Sequence, residues 1–450
     1  MSIDYSVPPT LTYQELLDAD TRRTGREVPD VLRWFSPMPP SEADVPVERY
    51  TTAEFHRVEV EKVWTKVWQM ACREEDIPVV GDHLSYDIAG YSILVTRTAD
   101  DEIKAYHNVC PHRGRKLKES RGRDTELRCA FHGFAWELNG CLKQVPCQWD
   151  FPRLDPDEWS LPEVQVGTWG GFVFINMDPD CAPLEEHLGD LPTHFERWPL
   201  EDRYKEAHVA KVMDCNWKVA QEAFMEAFHV VATHPQLLPS LGDAMSQYDV
   251  FGNFSRAITP NGVPSPHVTW ELSQQDIFDA MSDRNLDEEP RAVVPDEETA
   301  RHMAADAARS SLRPALGDRV DELCDGELTE SIYYTLFPNF HPWAAYNRIV
   351  YRFRPFGNDH RRSIMECMFL SPFTGERPSA APIHWLTDDE DWTAAPELGM
   401  LARVFNQDVY NLPQVQLGLE AMTRPGVMFA DYQETKPRHM HALLDEWIAR

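Results

Sequence analysis

Residues 108–140, NVCPHRGRKLKESRGRDTELRCAFHGFAWELNG, constrain this chain more than any other stretch. Cys110 and His112 form a Cys-x-His pair, Cys129 and His132 form a Cys-x-x-His pair, and sixteen residues lie between the two. Two thiolates and two imidazoles, offered by two loops, can hold a metal centre. The loops read Cys-Pro-His-Arg-Gly and Cys-Ala-Phe-His-Gly-Phe, so each carries a glycine beside its ligands. A structural zinc site also uses Cys and His. Its ligands usually come as like pairs, Cys-x-x-Cys or His-x3–5-His, whereas each pair here mixes the two. An iron–sulfur cluster held by both residue types is the other solution.

The segment resembles the Rieske iron–sulfur motif, Cys-x-His-x15–17-Cys-x-x-His, almost residue for residue. The resemblance implies that Cys110 and Cys129 bind one iron of a [2Fe–2S] cluster. His112 and His132 would bind the other, an arrangement whose potential lies above that of an all-Cys cluster.

Composition bounds the setting. The chain has 450 residues, 42% apolar and 26% charged, as a globular protein has. At about 100–200 residues per domain it holds roughly two to three domains. No run of about 18 apolar residues marks a membrane span. The N-terminus, MSIDYSVPPTLTYQE, lacks the basic-then-apolar pattern of a signal peptide. Nine cysteines without framework spacing point to reduced thiols and the cytoplasm. A net charge of −31 argues against nucleic acid or an anionic membrane as partner. Residues 107–123 run against that background, with Arg113, Arg115, Lys116, Lys118, Arg121 and Arg123 against one acid, Glu119. They read either as a solvated loop or one paired with acids of a neighbouring subunit, or as a docking patch for an acidic electron donor.

Along the chain, residues 1–50 are Pro-rich and read as an irregular arm. Residues 51–76 read as a helix packing on the larger domain, with Thr51 and Glu54 as a capping box and Val60, Val63, Trp64, Val67 and Trp68 at helical spacing. From 77 to 178 short β-rich runs alternate with turns such as Asn139-Gly140, which predicts a small β domain with the ligand loops at hairpin tips. Residues 179–450 mix helices and strands. Helices are expected at 182–199, 214–234, 397–418 and the last turns, and strands at 330–337, 347–355 and 362–370. The fold class is α+β. A small all-β domain precedes a larger domain whose antiparallel sheet is covered by helices, in the helix-grip manner that the family resemblance implies.

A second site is carried by DCNWKVAQEAFMEAFHVVATH at 214–234. On a continuous helix Glu222, Glu226 and His229 share one face. His234 would point away from that face, so both imidazoles reach one metal only if the helix breaks, and Pro235 favours a break. The stretch resembles the mononuclear-iron motif of Rieske non-haem iron oxygenases, Asn-Trp-Lys-x3-Glu-Asn-x2-Asp-x-Tyr-His-x4-His. Asn216, Trp217, Lys218, Glu222, His229 and His234 match it. Ala223, Glu226 and Phe228 replace the Asn, Asp and Tyr. The resemblance implies that His229 and His234 bind iron, and that Glu226 bridges this iron to a cluster imidazole on a neighbouring subunit. The family's downstream Asp-x4-Glu-x2-Gln-x-Gly-Leu pattern maps onto Asp408, Gln416, Gly418 and Leu419, with Pro413 in place of the Glu. Asp408 is therefore the third expected ligand of a two-His, one-carboxylate triad.

The resemblance implies an oxygenase that takes electrons at the [2Fe–2S] cluster and activates O2 at mononuclear Fe(II). Its electrons would come from NAD(P)H only indirectly, through a ferredoxin or ferredoxin reductase. The chain carries no Gly-x-Gly-x-x-Gly fingerprint of its own. A homotrimer, alone or joined by a beta subunit, is implied as well. Phe224, Met225, Phe228, Phe337, Phe340, His341, Trp343 and Trp385 are the candidate pocket residues, and they suggest an apolar aromatic or polycyclic substrate. Two other classes stand beside this one: a Rieske electron carrier without oxygenase activity, and a zinc-stabilised binding module.

Overall fold

A computed structural model describes residues 3–41, 43–282 and 292–450. Part of the polar 240–330 stretch, residues 283–291, lies outside the described residues. Runs of β-branched and aromatic residues broken by glycine turns build a seven-stranded antiparallel sheet. Its order is Gln69–Arg73, Phe172–Asn176, Glu163–Trp169, Glu102–His107, Tyr91–Ala99, Asp82–Ile88, Gly122–Arg123. A three-stranded sheet, Leu127–Arg128, Ala135–Trp136 and Leu142–Gln144, carries the second ligand loop. Gly140 closes its hairpin at φ +87°, and a β-carbon there would meet the Tyr106 ring at 2.6 Å. The Asn139-Gly140 turn is thus both conformational and steric.

Two expectations change here. The helix expected over 51–76 is short. It spans Ala53–Glu59, is capped by Thr52 rather than Thr51, and continues into a π-turn at Val60–Trp64. Gln69–Arg73 is then a strand paired with Phe172–Asn176, so this segment joins the sheet that leads into the Cys110–His112 loop. The apolar stripe is real, since Val63, Trp64 and Val67 are buried. A free sheet edge, however, competes for the backbone after Trp64. The arm is not irregular either. Tyr13–Thr24 is a helix with a Thr12/Glu15 capping box, and its Tyr13 and Leu17 lie in the largest core with Phe254, Tyr334 and Phe340.

The larger unit is built on an eight-stranded sheet. Its order is Gln247–Phe251, Phe254–Thr259, Ser331–Leu336, Phe340–Pro342, Ile349–Phe356, Asp359–Pro372, Arg203–Met213, His384–Trp385. Only the last pairing is parallel. Trp217–Glu222, Leu401–Glu420 and Thr435–Ala449 pack against it. The expected strands at 330–370 are present, and the helix at the downstream Asp pattern runs through Pro413 without interruption. Arg203–Met213 was not anticipated, because Lys205, Glu206 and Lys211 interrupt its apolar alternation. Buried charges join the two sheets. Arg352 donates to Met70 O at 3.1 Å and to Glu366 at 2.6 Å, and Arg354 donates to Glu366 at 2.8 Å and to Asp87 O. Among the described residues no helix is long and apolar enough to cross a membrane.

Candidate metal centres

The two loops of 108–140 meet at the end of the smaller unit. Cys110 and Cys129 are buried, and the His112 and His132 rings lie edge to face with centroids 4.7 Å apart. Gly114 and Gly133, at φ +76° and +80°, donate backbone N–H groups to the carbonyls of Cys110 and Cys129. The chain can double back at both ligands only with φ positive there, which is why a glycine follows each ligand pair. Burial pushes the Cys110 thiol up, while the N–H groups of His112 and Arg113 at its sulfur oppose that by favouring the thiolate. The Nδ1 atom of His112 is buried without a hydrogen-bond partner, as a ligand nitrogen would be.

Spacing separates the two metal readings. Bonds of roughly 2.0–2.3 Å to a single tetrahedral zinc put ligand atoms roughly 3–4 Å from one another. Among the described residues, only His229, His234 and Asp408 offer three or more ligand atoms within 4.8 Å of one another. The four Cys and His ligands of the small unit do not close to single-ion spacing. A two-iron cluster, which separates its Cys pair from its His pair, fits them.

The basic segment is largely neutralised by its own chain. Arg115 pairs with Glu119, Lys116 with Asp87, Lys118 with Asp124, Arg121 with Asp76 and Arg123 with Asp82. Arg113 stacks over the exposed Phe131 ring, 5.3 Å from its centroid. The acids that pair with 107–123 here belong to the same chain rather than to a neighbouring subunit.

The second site gathers three expected residues from distant positions. His234 Nε2 lies 2.8 Å from Asp408 Oδ1, and His229 Nε2 lies 3.6 Å from the same oxygen. Their outer nitrogens are held: His229 Nδ1 by Glu226 Oε1 at 2.7 Å, and His234 Nδ1 by Gln407 Oε1 at 2.8 Å. Such outer partners fix each imidazole's tautomer and leave Nε2 for a metal. Burial alone would push the His229 imidazole down, but the carboxylates of Glu226 and Asp408 override it and raise it to about 9. A dication at Nε2 would replace that proton. Two imidazoles and one carboxylate are the donor set of a facial triad, so these residues fit a mononuclear iron.

The helix expected over 214–234 is broken. Trp217–Glu222 is helical, the chain then turns irregularly, and Val230–Thr233 forms one further turn. The break lies mostly before His229 rather than between the two His residues. Glu222 consequently does not share a face with Glu226 and His229. It accepts from Tyr50 Oη at 2.9 Å and lies 2.8 Å from His441 Nε2. Burial raises its carboxyl to about 8. Glu226 instead turns onto His229, whose backbone N–H it also accepts at 3.0 Å.

The other matching positions build the frame. Asn216 caps the ligand helix at Lys218 N, and its own N–H donates to Gln416 Oε1 at 2.9 Å. Lys218, fully buried, pairs with the equally buried Glu59 at 2.5 Å, and Trp217 Nε1 donates to that Glu59 as well. Gln416 ties this segment to the helix that carries Asp408, and Glu59 ties it to the Ala53–Glu59 helix.

A cavity of about 230 Å³ opens at the triad. Phe224, Tyr333, Trp343, Tyr351 and Phe405 form its aromatic wall. Of the candidate pocket residues, Phe224 and Trp343 are there. Met225, Phe337 and Phe340 are in the core, Phe228 is 46% exposed, His341 is buried outside the lining, and Trp385 lines a different groove. Tyr333 and Tyr351 were missed because alternation along a strand does not say which face meets a cavity. Phe405, three residues before Asp408 in the same helix, carried a signal in its i, i+3 spacing.

Comparison with known proteins gives a consistent result. The family described as ring hydroxylating alpha subunit, catalytic domain, matches residues 193–450, and the Rieske [2Fe-2S] domain matches residues 67–155. The carnitine monooxygenase oxygenase subunit of Escherichia coli K12 is 29% identical over 220 residues, 48% of this chain and 59% of that protein. The chlorobenzene dioxygenase subunit alpha of Cupriavidus sp. PS12 is 31% identical over 193 residues, 41% of this chain and 42% of that protein. The choline monooxygenase of Beta vulgaris is 28% identical over 222 residues, 48% and 50% of the two. The matches thus span about half the length of these relatives. Among solved structures, a quaternary ammonium Rieske monooxygenase superposes with a TM-score of 0.65 at 18% identity, covering 90% of this chain and 95% of that one. A naphthalene 1,2-dioxygenase from Rhodococcus sp. bound to indole gives 0.59 at 19% identity, covering 90% and 94%.

Proposed function

Because this chain belongs to the ring-hydroxylating alpha-subunit family, with a Rieske domain ahead of the catalytic domain, we propose that it is the oxygenase component of a Rieske electron-transfer system. When bound, the cluster supplies single electrons and the mononuclear iron supplies O2 activation. Cys110, His112, Cys129 and His132 hold the first, and His229, His234 and Asp408 the second. Glu226 keeps the His229 ring oriented through Nδ1, and its carboxylate is the group that would link this imidazole to a neighbouring subunit's cluster. A ferredoxin or a reductase fed by NAD(P)H delivers electrons, and the working unit is an oligomer, with the trimer as the expected form. The observation that carries this reading is the convergence of three ligand atoms within 4.8 Å on the wall of an aromatic-lined cavity.

The substrate meets that wall. The aromatic rings stack on an apolar arene, and their faces equally attract a quaternary ammonium group. Carnitine, choline and chlorobenzene oxygenases are all among the relatives, so both body types belong in a substrate panel. A cavity of about 230 Å³ favours a small substrate over a polycyclic one; drug-sized ligands occupy about 300–1,000 Å³.

His234→Ala tests the assignment. Iron should fall from about three to about two atoms per chain, with the reduced-cluster spectrum intact and product formation lost. Full turnover in this variant would remove His234 from the site. A wild-type protein with only two irons would favour the electron carrier instead.

A further inference from the structure

The cavity beside the triad has a second chemistry besides its aromatic wall. Thr259, Asn261 and Ser331 also line it, while no lysine or arginine does among the described residues. Thr259 and Ser331 face each other across paired strands. The Thr259 hydroxyl is already engaged, 2.7 Å from Ser246 Oγ and 3.3 Å from Tyr333 Oη. Asn261 and Ser331 are different. One carboxamide N–H of Asn261 donates to Ser331 Oγ at 3.2 Å. That leaves a second N–H and the amide oxygen on Asn261, and the hydroxyl proton on Ser331.

Asn261 is held by its backbone from behind, and Ser331 by its place in the strand opposite Thr259. Asn261 N donates to Glu330 Oε2 at 3.1 Å, and Arg301 Nη1 donates to Asn261 O at 2.7 Å. Arg301 is itself bound to Glu330 and Asp20, so two carboxylates more than offset its charge and none is left over for an anion. The polar end is therefore preorganised, neutral, and able both to donate and to accept. The acids and imidazoles on the cavity wall are Glu226, Asp408, His229 and His234; the charge of an iron held there would be offset by the two carboxylates, and neither carboxylate offers an anion any attraction. A carboxylate moved from water to Asn261 and Ser331 would lose its hydration without an unbalanced positive charge to replace it. A hydroxyl or carbonyl would exchange its water partners for Asn261 and Ser331 at little cost.

We propose that Asn261 and Ser331 receive an uncharged hydroxyl or carbonyl group of the substrate. The enzyme then takes small neutral or cationic molecules bearing such a group and discriminates against their carboxylates. The proposal rests on the oxygenase reading for the chemistry, but the recognition itself is a binding property and is tested as one.

The test uses two matched series on the iron-loaded protein without O2. One is benzyl alcohol, benzoate and toluene. The other is 2-hydroxyethyltrimethylammonium, trimethylammonioacetate and tetramethylammonium. Calorimetry should give each alcohol about tenfold tighter binding than the partner lacking the group, with the carboxylate weakest in its series. Asn261→Leu should erase the advantage of the alcohol while leaving toluene or tetramethylammonium unchanged. Ser331→Ala, a smaller change, should reduce it by several-fold. Asn261→Lys should reverse the order in favour of the carboxylate. Carboxylates binding as well as alcohols in the wild type, an unchanged ratio in Asn261→Leu and Ser331→Ala, or no alcohol binding at millimolar concentration would each overturn the proposal. O2 uptake with a reductase is then measured on the same compounds. A retained binding order with no substrate-dependent O2 uptake would count against the oxygenase reading and leave the recognition standing.

Discussion

Glu222 and Glu226 stand four residues apart and meet opposite surroundings. Glu226 is flanked by the His229 imidazole and stays a hydrogen-bond acceptor. Glu222 faces a buried tyrosine and a buried histidine, and its carboxyl rises from 4.5 to about 8. The folded protein therefore holds a proton that the unfolded chain releases above about pH 4.5. Stability is lost as pH climbs from there towards about 8. Glu222→Gln should remove that slope and stabilise the fold by on the order of 2 kcal/mol at the alkaline end. Melting temperatures measured from pH 5 to pH 9 check this, and parallel curves for the two proteins would contradict it. Residues of this kind mark what the sequence could and could not disclose. Cys110, His112, Cys129 and His132 stand out as candidates because the spacing of such a motif is local. Tyr333, Tyr351 and Asn261 enter the cavity through strand register, which no short motif encodes.

At the scale of elements, the ligand segment shows how a broken helix can still be rigid. Its first six residues are clamped by Asn216, Lys218 and Gln416, and the irregular turns that follow are free to aim Glu226 and His229. The buried Lys218–Glu59 pair anchors the clamp. Lys218→Met would strand Glu59 as an uncompensated charge and should cost about 3–5 kcal/mol in urea unfolding. Lys218→Met with Glu59→Leu should recover most of that loss. A double variant no better than the single one would show that the pair is not what holds the segment. The sequence suggested that this helix must break, because His229 and His234 cannot share a face. Its position was hidden, because the pull on residues 223–229 comes from partners far along the chain. The boundary near 69 was hidden likewise: a strand recruited by a sheet edge carries the same apolar residues as a helix.

Over the whole molecule, buried histidines set an acid limit. Burial lowers His194 from 6.5 to about 3 and His187 from 6.5 to about 4. Both stay neutral when folded but take protons when unfolded, so their contribution is complete above about pH 6.5 and is lost as pH falls towards about 4. The protein should lose structure cooperatively across that window. His194→Phe, placed among Trp34, Phe251, Phe254 and Tyr334, should shift the midpoint to lower pH. Acid titration followed by tryptophan fluorescence reads the shift, and an unmoved midpoint would exclude His194 as a trigger. The α+β class and the order of the two units were visible in the change of residue pattern. The clamp of Arg352, Arg354 and Glu366 between them was not, since a buried arginine looks like a surface one until its partners are known.

The N-terminal arm has a consequence for how this protein is made. Gln14 bonds to Gln247, 233 residues later, and Arg23 pairs with Glu298. Val31 O and Trp34 O accept from the buried guanidinium of Arg256. Synthesis at about 5–20 residues per second leaves the Tyr13–Thr24 helix without its full set of partners for roughly 15–65 s. During that interval Tyr13, Leu16 and Leu17 have no core to enter. This early segment is seated late, and a chaperone that shields it would have to release it only after residue 340 has emerged.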